Sequence, residues 1–167
     1  SATVIFTATD SCGNSTTTTA IFTIEDTTAP TIDTPAADQT VECDGSGNAS
    51  ALAAWLSNNG GASASDVCSG VNWTNNYTGL SDGCGNTGSA TVIFTATDSC
   101  GNSTSTTATF TIEDTTSPTI DTPAADQTVE CDGSGNASAL AAWLSSNGGA
   151  SASDVCSGVN WTNNYTG

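Results

Sequence analysis

Strict alternation of apolar and polar residues predicts two long strands in the middle of the chain, over residues 90–97 and 107–112. A period of two is typical of a strand with one buried face. Residues 98–102 between the runs are rich in turn-forming types, so we expect an antiparallel hairpin. Its inward positions would be Val92, Phe94, Ala96, Ala108, Phe110 and Ile112.

Two shorter runs predict further strands. Residues 71–77 alternate with Val71, Trp73 and Tyr77 on one face, and residues 39–43 form the other run. The chain is therefore expected to be mainly β, built as an antiparallel sandwich.

A different spacing predicts one short helix over residues 48–60. Leu52, Trp55 and Leu56 recur at i, i+3 and i+4, which places them on one helical stripe. Asn48 is expected to be the N-cap, and Gly60 the stop signal. The helix would be an insertion between strands of the sandwich.

The whole pattern repeats with a period of 88 residues. Residues 1–79 superpose on residues 89–167 with four differences. These are Thr17/Ser105, Ile21/Thr109, Ala29/Ser117 and Asn58/Ser146. Near-identity at a fixed period indicates a tandem array of one structural unit.

The best linker in each repeat is a short polar run that ends in proline, at residues 26–30 and again at 114–118. Proline ends ladder pairing and stiffens a joint. With boundaries there, residues 1–29 are the C-terminal part of one module, 30–117 a complete module, and 118–167 the N-terminal part of the next. We call these the first, central and third segments.

Charge excludes several classes of partner. The chain has 17 carboxylates, no Lys, Arg or His, and a net charge of −17. Nucleic acids and anionic membrane surfaces bind through Lys and Arg, so neither is expected as a partner. No apolar run approaches the ~20 residues of a membrane span. An enzyme is not expected either, because a Ser or Thr nucleophile would have no His or Lys to activate it.

Seven cysteines in 167 residues indicate an oxidising, extracellular compartment and a disulfide framework. The wide spacing of the cysteines and the lack of His disfavour zinc. In the central segment the sequence favours the pairs Cys68–Cys100 and Cys43–Cys84, since Cys68 and Cys100 both lie at strand ends. Cys12, Cys131 and Cys156 would then pair with cysteines outside residues 1–167. Pairing of sequence neighbours, Cys43–Cys68 with Cys84–Cys100, is the alternative, and it leaves only Cys12 unpaired if Cys131–Cys156 also forms.

Carboxylates with no cation nearby are candidate ligands for Ca²⁺, which prefers oxygen donors. Three aspartates each stand two residues before a cysteine of the central segment, and six further carboxylates flank the two linkers between segments. The simpler interpretation is that these aspartates cap turns. The candidates are Asp66, Asp82, Asp98, Glu25, Asp26, Asp38, Glu113, Asp114 and Asp126.

The aromatic residues are expected to be core anchors: Trp55, Trp73, Phe94 and Phe110. The competing interpretation is a sugar-binding platform, for which Tyr77 is the best candidate.

Two stretches resemble the hyalin-repeat family: ATDSCGN at residues 96–102 and IEDTTSP at 112–118. The further motifs TVECDGSGN (40–48), ALAAWL (51–56) and GLSDGCGNTGSATV (79–92) are similar to the four-cysteine hyalin-like modules of giant bacterial surface adhesins. The resemblance implies an immunoglobulin-like fold related to fibronectin type III, a cell-surface location and no catalytic residues. Asp-Thr-Thr also resembles an O-glycosylation signal of some adhesin-bearing bacteria, which marks Thr27 and Thr115.

The sequence thus predicts a structural or adhesive fibre of tandem modules, linked by disulfides and stiffened by Ca²⁺. A repeated carbohydrate-binding module with a glycan ligand is one alternative. The other is a filament in which copies contact head to tail, with residues 1–29 of one completing residues 118–167 of the next.

Overall fold

The computed structural model describes residues 1–167 and is mainly β, as predicted. Two nine-residue helices interrupt the strands, and neither is long and apolar enough to cross a membrane. The elements are β1 (Ala2–Thr9), β2 (Ser15–Phe22), β3 (Thr31–Thr34), β4 (Gln39–Glu42), α1 (Ala49–Ser57), β5 (Ser63–Ser65), β6 (Asn72–Asn75), β7 (Gly88–Thr97), β8 (Ser103–Glu113), β9 (Thr119–Thr122), α2 (Ala137–Ser145) and β10 (Ser151–Ser153). Single 3₁₀ turns at Asn59–Gly61 and Asn147–Gly149 follow the two helices.

Strand pairing stays within the three segments. The central segment has a four-stranded sheet in the order β4-β8-β7-β6 and a two-stranded sheet of β3 and β5. The hairpin β1–β2 and the pair β9–β10 form separate two-stranded sheets in the first and third segments. One pairing corrects the expectation of a purely antiparallel sandwich: β4 runs parallel to β8, with Gln39 opposite Phe110.

The core of the central segment lies between α1 and the long hairpin β7–β8. The Trp55 ring meets Phe94 edge-on, with ring centroids 5.2 Å apart, and lies 5.5 Å from Phe110. The inward residues predicted for this hairpin are all buried, and Leu52 of α1 joins them. Trp73 is half-buried and packs against this cluster. Apolar burial of this kind is the main source of stability in a small domain.

The start of α1 differs from the prediction in one detail. Asn48 occupies the N-cap position with φ 51°, but its side chain makes no capping hydrogen bond. Its amide instead binds the end of β4: Nδ2 donates to Glu42 O at 2.8 Å, and Oδ1 accepts from Asp44 N at 3.2 Å. Asn48 therefore fixes the helix to the neighbouring strand and not to its own first turn.

The end of α1 requires a glycine for two reasons. Gly60 has φ 64°, a region that side chains disfavour. A Cβ there would lie 3.2 Å from the Phe94 ring and 3.1 Å from Ala36 Cβ. The stop signal predicted at Gly60 is thus also a point of close packing against the hairpin.

Near-identical sequences have different burial in the three segments. In the central segment α1 buries Leu52 and Trp55, whereas α2 of the third segment has no buried residue. Every residue of β1 and β2 is exposed, although β7 and β8 bury their apolar face. Burial of the helix and of the hairpin therefore depends on the two packing together, which occurs only in the central segment.

Phe94→Ala should destabilise the central segment by about 3–5 kcal/mol, since it removes a fully buried ring from the Trp55 contact. Phe6→Ala is the matched control, because Phe6 is the same position of the repeat in the exposed hairpin. It should change stability by less than about 0.5 kcal/mol. Urea unfolding of dilute protein, followed by tryptophan fluorescence, measures both. Equal losses would contradict this description of the core.

Candidate functional site at the joint between segments

The joint between the central and third segments contains a carboxylate that binds the linker. Glu42, at the end of β4, accepts hydrogen bonds from Thr115 N at 2.9 Å, Thr115 Oγ1 at 2.8 Å and Thr116 Oγ1 at 2.8 Å. We call this arrangement the Glu42 clamp. It joins a strand of the central segment to the residues that lead into the third.

The clamp has a definite dependence on pH. Hydrogen bonds from the Thr115 backbone, then from the Thr116 and Thr115 hydroxyls, hold the pKa of Glu42 below its ordinary value. A lowered pKa in the folded state contributes stability above the ordinary carboxylate pKa. That stability is lost as the pH falls through the lowered value. The clamp is therefore strongest at neutral pH and is weakened when Glu42 is protonated in acid.

A disulfide crosses the same joint. Cys43, the residue after β4, is bonded to Cys156, which follows β10 in the third segment, and their Cα atoms are 6.0 Å apart. Both cysteines are buried. The backbone beside the bond is also paired between segments, since Asn86 N donates to Cys156 O at 2.9 Å.

Close approach of the two segments explains a glycine at the joint. Gly45 has φ 75°, and a Cβ there would lie 2.8 Å from Val155 O and 3.0 Å from Val155 Cγ1. The Asn86 side chain donates from Nδ2 to Gly45 O at 3.2 Å, which fixes this loop. Gly45 therefore allows the third segment to dock against the central one.

This pairing differs from both schemes expected from the sequence. Cys43 was expected to bond Cys84 or Cys68. Cys156 was expected to find its partner outside residues 1–167 in the favoured scheme, or to bond Cys131 in the alternative. The structure instead pairs Cys43 with Cys156, because the loop after β10 lies against the end of β4 and carries Cys156 to it. The Cys68–Cys100 bond is not formed either. The free thiols, all exposed, are Cys12, Cys68, Cys84, Cys100 and Cys131.

The opposite end of the central segment, where it meets the first, gathers acidic groups. Ligand atoms of Asp26, Asp98 and Cys100 lie within 4.8 Å of one another. The negative charge of Asp26, followed by desolvation and the charge of Asp66, raises the pKa of the Cys68 thiol. Cys68 is thereby kept in its protonated, less nucleophilic form.

The two carboxylates of this group have different surroundings. Burial pushes the pKa of Asp98 upward, but hydrogen bonds from the Asn102 side chain and backbone and from Cys100 N outweigh it and lower the pKa overall. Asp26 accepts from Thr28 N through Oδ1, whereas its Oδ2 is buried with no hydrogen-bond partner. Buried polar atoms are rarely left unpaired. Oδ2 of Asp26 is therefore the one carboxylate oxygen of this group that is free to bind a cation.

The other calcium candidates do not assemble into a site, since no other group of three ligand residues is close enough to hold one ion. Several of them make local or structural hydrogen bonds instead. Asp66 accepts from Cys68 N, Asp114 from Thr116 N, and Asp38 from Thr109 N of β8. Those that do not join the group are Asp66, Asp82, Glu25, Asp38, Glu113, Asp114 and Asp126.

The aromatic and threonine candidates differ in how exposed they are to solvent. Trp55, Phe94 and Phe110 are buried, while Trp73 and Tyr77 are half-buried, so no aromatic ring of the central segment is a fully exposed platform for a sugar. Thr27 and Thr115, the candidate glycosylation sites, are both exposed. The Thr115 hydroxyl is already bonded to Glu42.

Sequence reasoning missed the Cys43–Cys156 bond and the Glu42 clamp. A shift of 88 residues makes Cys156 equivalent to Cys68, and nothing in the sequence distinguishes a bond from Cys43 to one of these cysteines from a bond to the other. The Glu42 clamp has no signal either, since one glutamate among 17 acidic residues is not distinctive. Comparison with family models finds no match, and comparison with curated proteins finds no significant similarity.

Peptide mapping of the oxidised, unreduced protein should recover a cross-linked pair containing Cys43 and Cys156. Cys156→Ala should remove that pair and lower stability by about 5 kcal/mol in the chain-entropy description, because the bond closes a loop of 113 residues. Cys131→Ala is the matched control, since this exposed cysteine is unbonded. Recovery of a Cys43–Cys84 pair would contradict the arrangement of the joint.

Proposed function

We propose that this chain is a structural or adhesive segment of an extracellular fibre or cell-surface adhesin built from tandem immunoglobulin-like modules. The observation that carries the proposal is the covalent joint, in which Cys43 and Cys156 connect two segments that are also linked through residues 114–118. A disulfide is compatible with an oxidising, extracellular setting. The motifs similar to hyalin-like modules support the same assignment.

The proposed role is mechanical. Two independent connections cross the joint, one through the backbone held by the Glu42 clamp and one through sulfur. A joint with two connections resists bending and twisting more than a single flexible linker does. Repeated along an array, such joints would extend a surface or tip away from the cell.

The bond also determines which residues can be stretched. When the chain is pulled from its two ends, the tension passes directly from Cys43 to Cys156, and the 113-residue loop between them is not extended. An unfolded residue spans at most about 3.3–3.6 Å. The bond therefore keeps about 400 Å of chain from extending under load.

Single-molecule pulling from the two ends tests this function. Reduction, or Cys156→Ala, should add about 400 Å to the fully extended length, because the loop is then free to unfold. Cys131→Ala should leave the length of the oxidised chain unchanged, since Cys131 lies inside the loop but is not bonded. An oxidised chain that extends as far as the reduced one would contradict the mechanical role.

Calcium is part of the proposal at the joint between the first and central segments. Ca²⁺ takes six to eight oxygen ligands, including carboxylates and backbone carbonyls. Asp26 and Asp98 supply two carboxylates, and the unpartnered Oδ2 of Asp26 is a suitable donor. The Cys100 thiol is not a ligand of this type, so the remaining oxygens would come from backbone and water. No Lys, Arg or His in the chain competes with the ion.

Titration calorimetry of the oxidised chain with CaCl₂ tests this part. Asp26→Asn should abolish calcium uptake, because it removes the charge of the one unpartnered carboxylate. Asp114→Asn is the matched control, since Asp114 is the same repeat position but has no such group around it. Absence of heat with the unaltered chain, or equal loss in both variants, would remove calcium from the proposal and leave the disulfide joint standing.

A further inference from the structure

Four asparagines of the central segment begin the tripeptide Asn-x-Ser/Thr, which is the acceptor signal for N-linked glycosylation in exported proteins. They are Asn48, Asn72, Asn76 and Asn102. In a chain this rich in Asn, Ser and Thr the tripeptide also arises from composition, so it selects no site by itself. A glycan is bulky and replaces one N–H of the side-chain amide. The site therefore needs an exposed asparagine whose Nδ2 is free.

Two of the four amides are already used by the fold. Asn48 is buried, and its Nδ2 donates to Glu42 O at 2.8 Å. Asn102 uses both of its N–H groups, since Nδ2 donates to Asp98 Oδ2 at 2.8 Å and to Asp26 O at 3.1 Å. A sugar on Asn102 would displace one of these bonds, and a sugar on Asn48 has no open space. Neither asparagine is therefore an acceptor.

Asn72 has the opposite surroundings. It is exposed in β6, and its side chain makes no hydrogen bond. Successive side chains of a strand point to opposite faces. Asn72 and Thr74 consequently lie on the outer face of the sheet, while Trp73 between them packs against the core. The strand thus presents the amide and the hydroxyl of the tripeptide on the same side, facing solvent.

Asn76 is exposed as well, but the neighbouring strand holds it. Its Oδ1 accepts from Ile93 N of β7 at 2.8 Å, and its backbone N donates to Ile93 O at 3.3 Å. It also lies beyond the end of β6, so no strand aligns it with the hydroxyl of Thr78. Asn72 therefore fits the acceptor role better than Asn76.

The sheet beside Asn72 is suited to a sugar. Asn72 lies opposite Thr97 of β7, and Thr97 lies opposite Ser103 of β8. The next outward row continues with Thr95 and Ser105. Hydroxyl side chains both donate and accept hydrogen bonds, as the hydroxyls of a sugar do. None of these residues is charged, in a chain with 17 carboxylates, so a neutral glycan meets polar partners without displacing an ion.

We propose that Asn72 carries an N-linked glycan in the exported protein. The donor is a sugar carried on a polyprenyl phosphate, and a separate transferase joins the two. Nδ2 of Asn72 bonds to the anomeric carbon, and the bond from that carbon to the phosphate oxygen breaks. The phosphate leaves with the electron pair, while the amide gives up one proton. This goes beyond the proposed function, which assigns no glycan, and relies on it only for export.

The glycan would also protect an open strand edge. β6 is the last strand in the order β4-β8-β7-β6, so one side of its backbone is unpaired. Such edges are templates for pairing with another chain. A bulky, hydrated sugar at Asn72 would keep other strands away from that edge.

Glycopeptide mapping of the native protein tests the proposal. After reduction, a protease that cleaves before aspartate releases residues 66–81 with Asn72, residues 44–65 with Asn48, and residues 98–113 with Asn102. Mass spectrometry should find a glycan on the first peptide, and fragmentation should locate it at Asn72. The other two peptides should be unmodified. An unmodified Asn72, or equal modification of Asn48, would overturn the proposal and leave the disulfide joint standing.

Variants produced in the source cells test the site itself. Thr74→Val keeps the shape of an exposed strand residue but removes the hydroxyl of the tripeptide, so peptide 66–81 should lose its glycan. Thr74→Ser restores the hydroxyl and should restore the glycan. Thr78→Val is the matched control, because it removes only the tripeptide that begins at Asn76 and should leave the glycan in place. A glycan that persists in Thr74→Val, or is lost in Thr78→Val, would contradict attachment at Asn72.

Discussion

The packing of one hairpin over one tryptophan is the interaction on which this structure depends. Where β7–β8 covers Trp55, the two rings of Phe94 and Phe110 exclude water, and both edge strands form beside them. In the third segment, where the hairpin is not present, the helix and its tryptophan keep their geometry, but residues 127–130 and 160–163, which match β4 and β6, form no strand. Local sequence is thus sufficient for the helix, and tertiary pairing is necessary for the sheet. This agrees with the strong dependence of strand formation on neighbours.

The alternation of apolar residues was a reliable guide to the long hairpin, and the helical stripe to α1, because both patterns report burial on one face. The parallel direction of β4 was not predictable in the same way, since alternation is identical for either strand direction. Asn48 shows a similar limit. Its position before α1 was evident, but its bonds to Glu42 and Asp44 depend on a loop whose course the sequence does not indicate.

The candidate site was harder to predict than the fold. Cysteine spacing suggested bonds within one module, because it contains no information on how modules contact each other. The Cys43–Cys156 bond arises from docking of the third segment, for which Gly45 leaves room. Among the nine carboxylates considered for calcium, only Asp26 and Asp98 come together, whereas Asp66 and Asp114 accept hydrogen bonds from backbone N–H groups two residues further along their own turns.

The loop closed by the Cys43–Cys156 bond affects the resistance of the protein to proteolysis. After a single backbone cleavage anywhere between these two residues, the N-terminal and C-terminal fragments stay joined by the disulfide, so the polypeptide does not separate into two pieces. The chain also has no lysine or arginine, and proteases that require a basic residue find no place to cut it. Resistance to proteolysis would then come from two features of one polypeptide: it has no site for proteases that require Lys or Arg, and the disulfide gives a second covalent connection between its two ends.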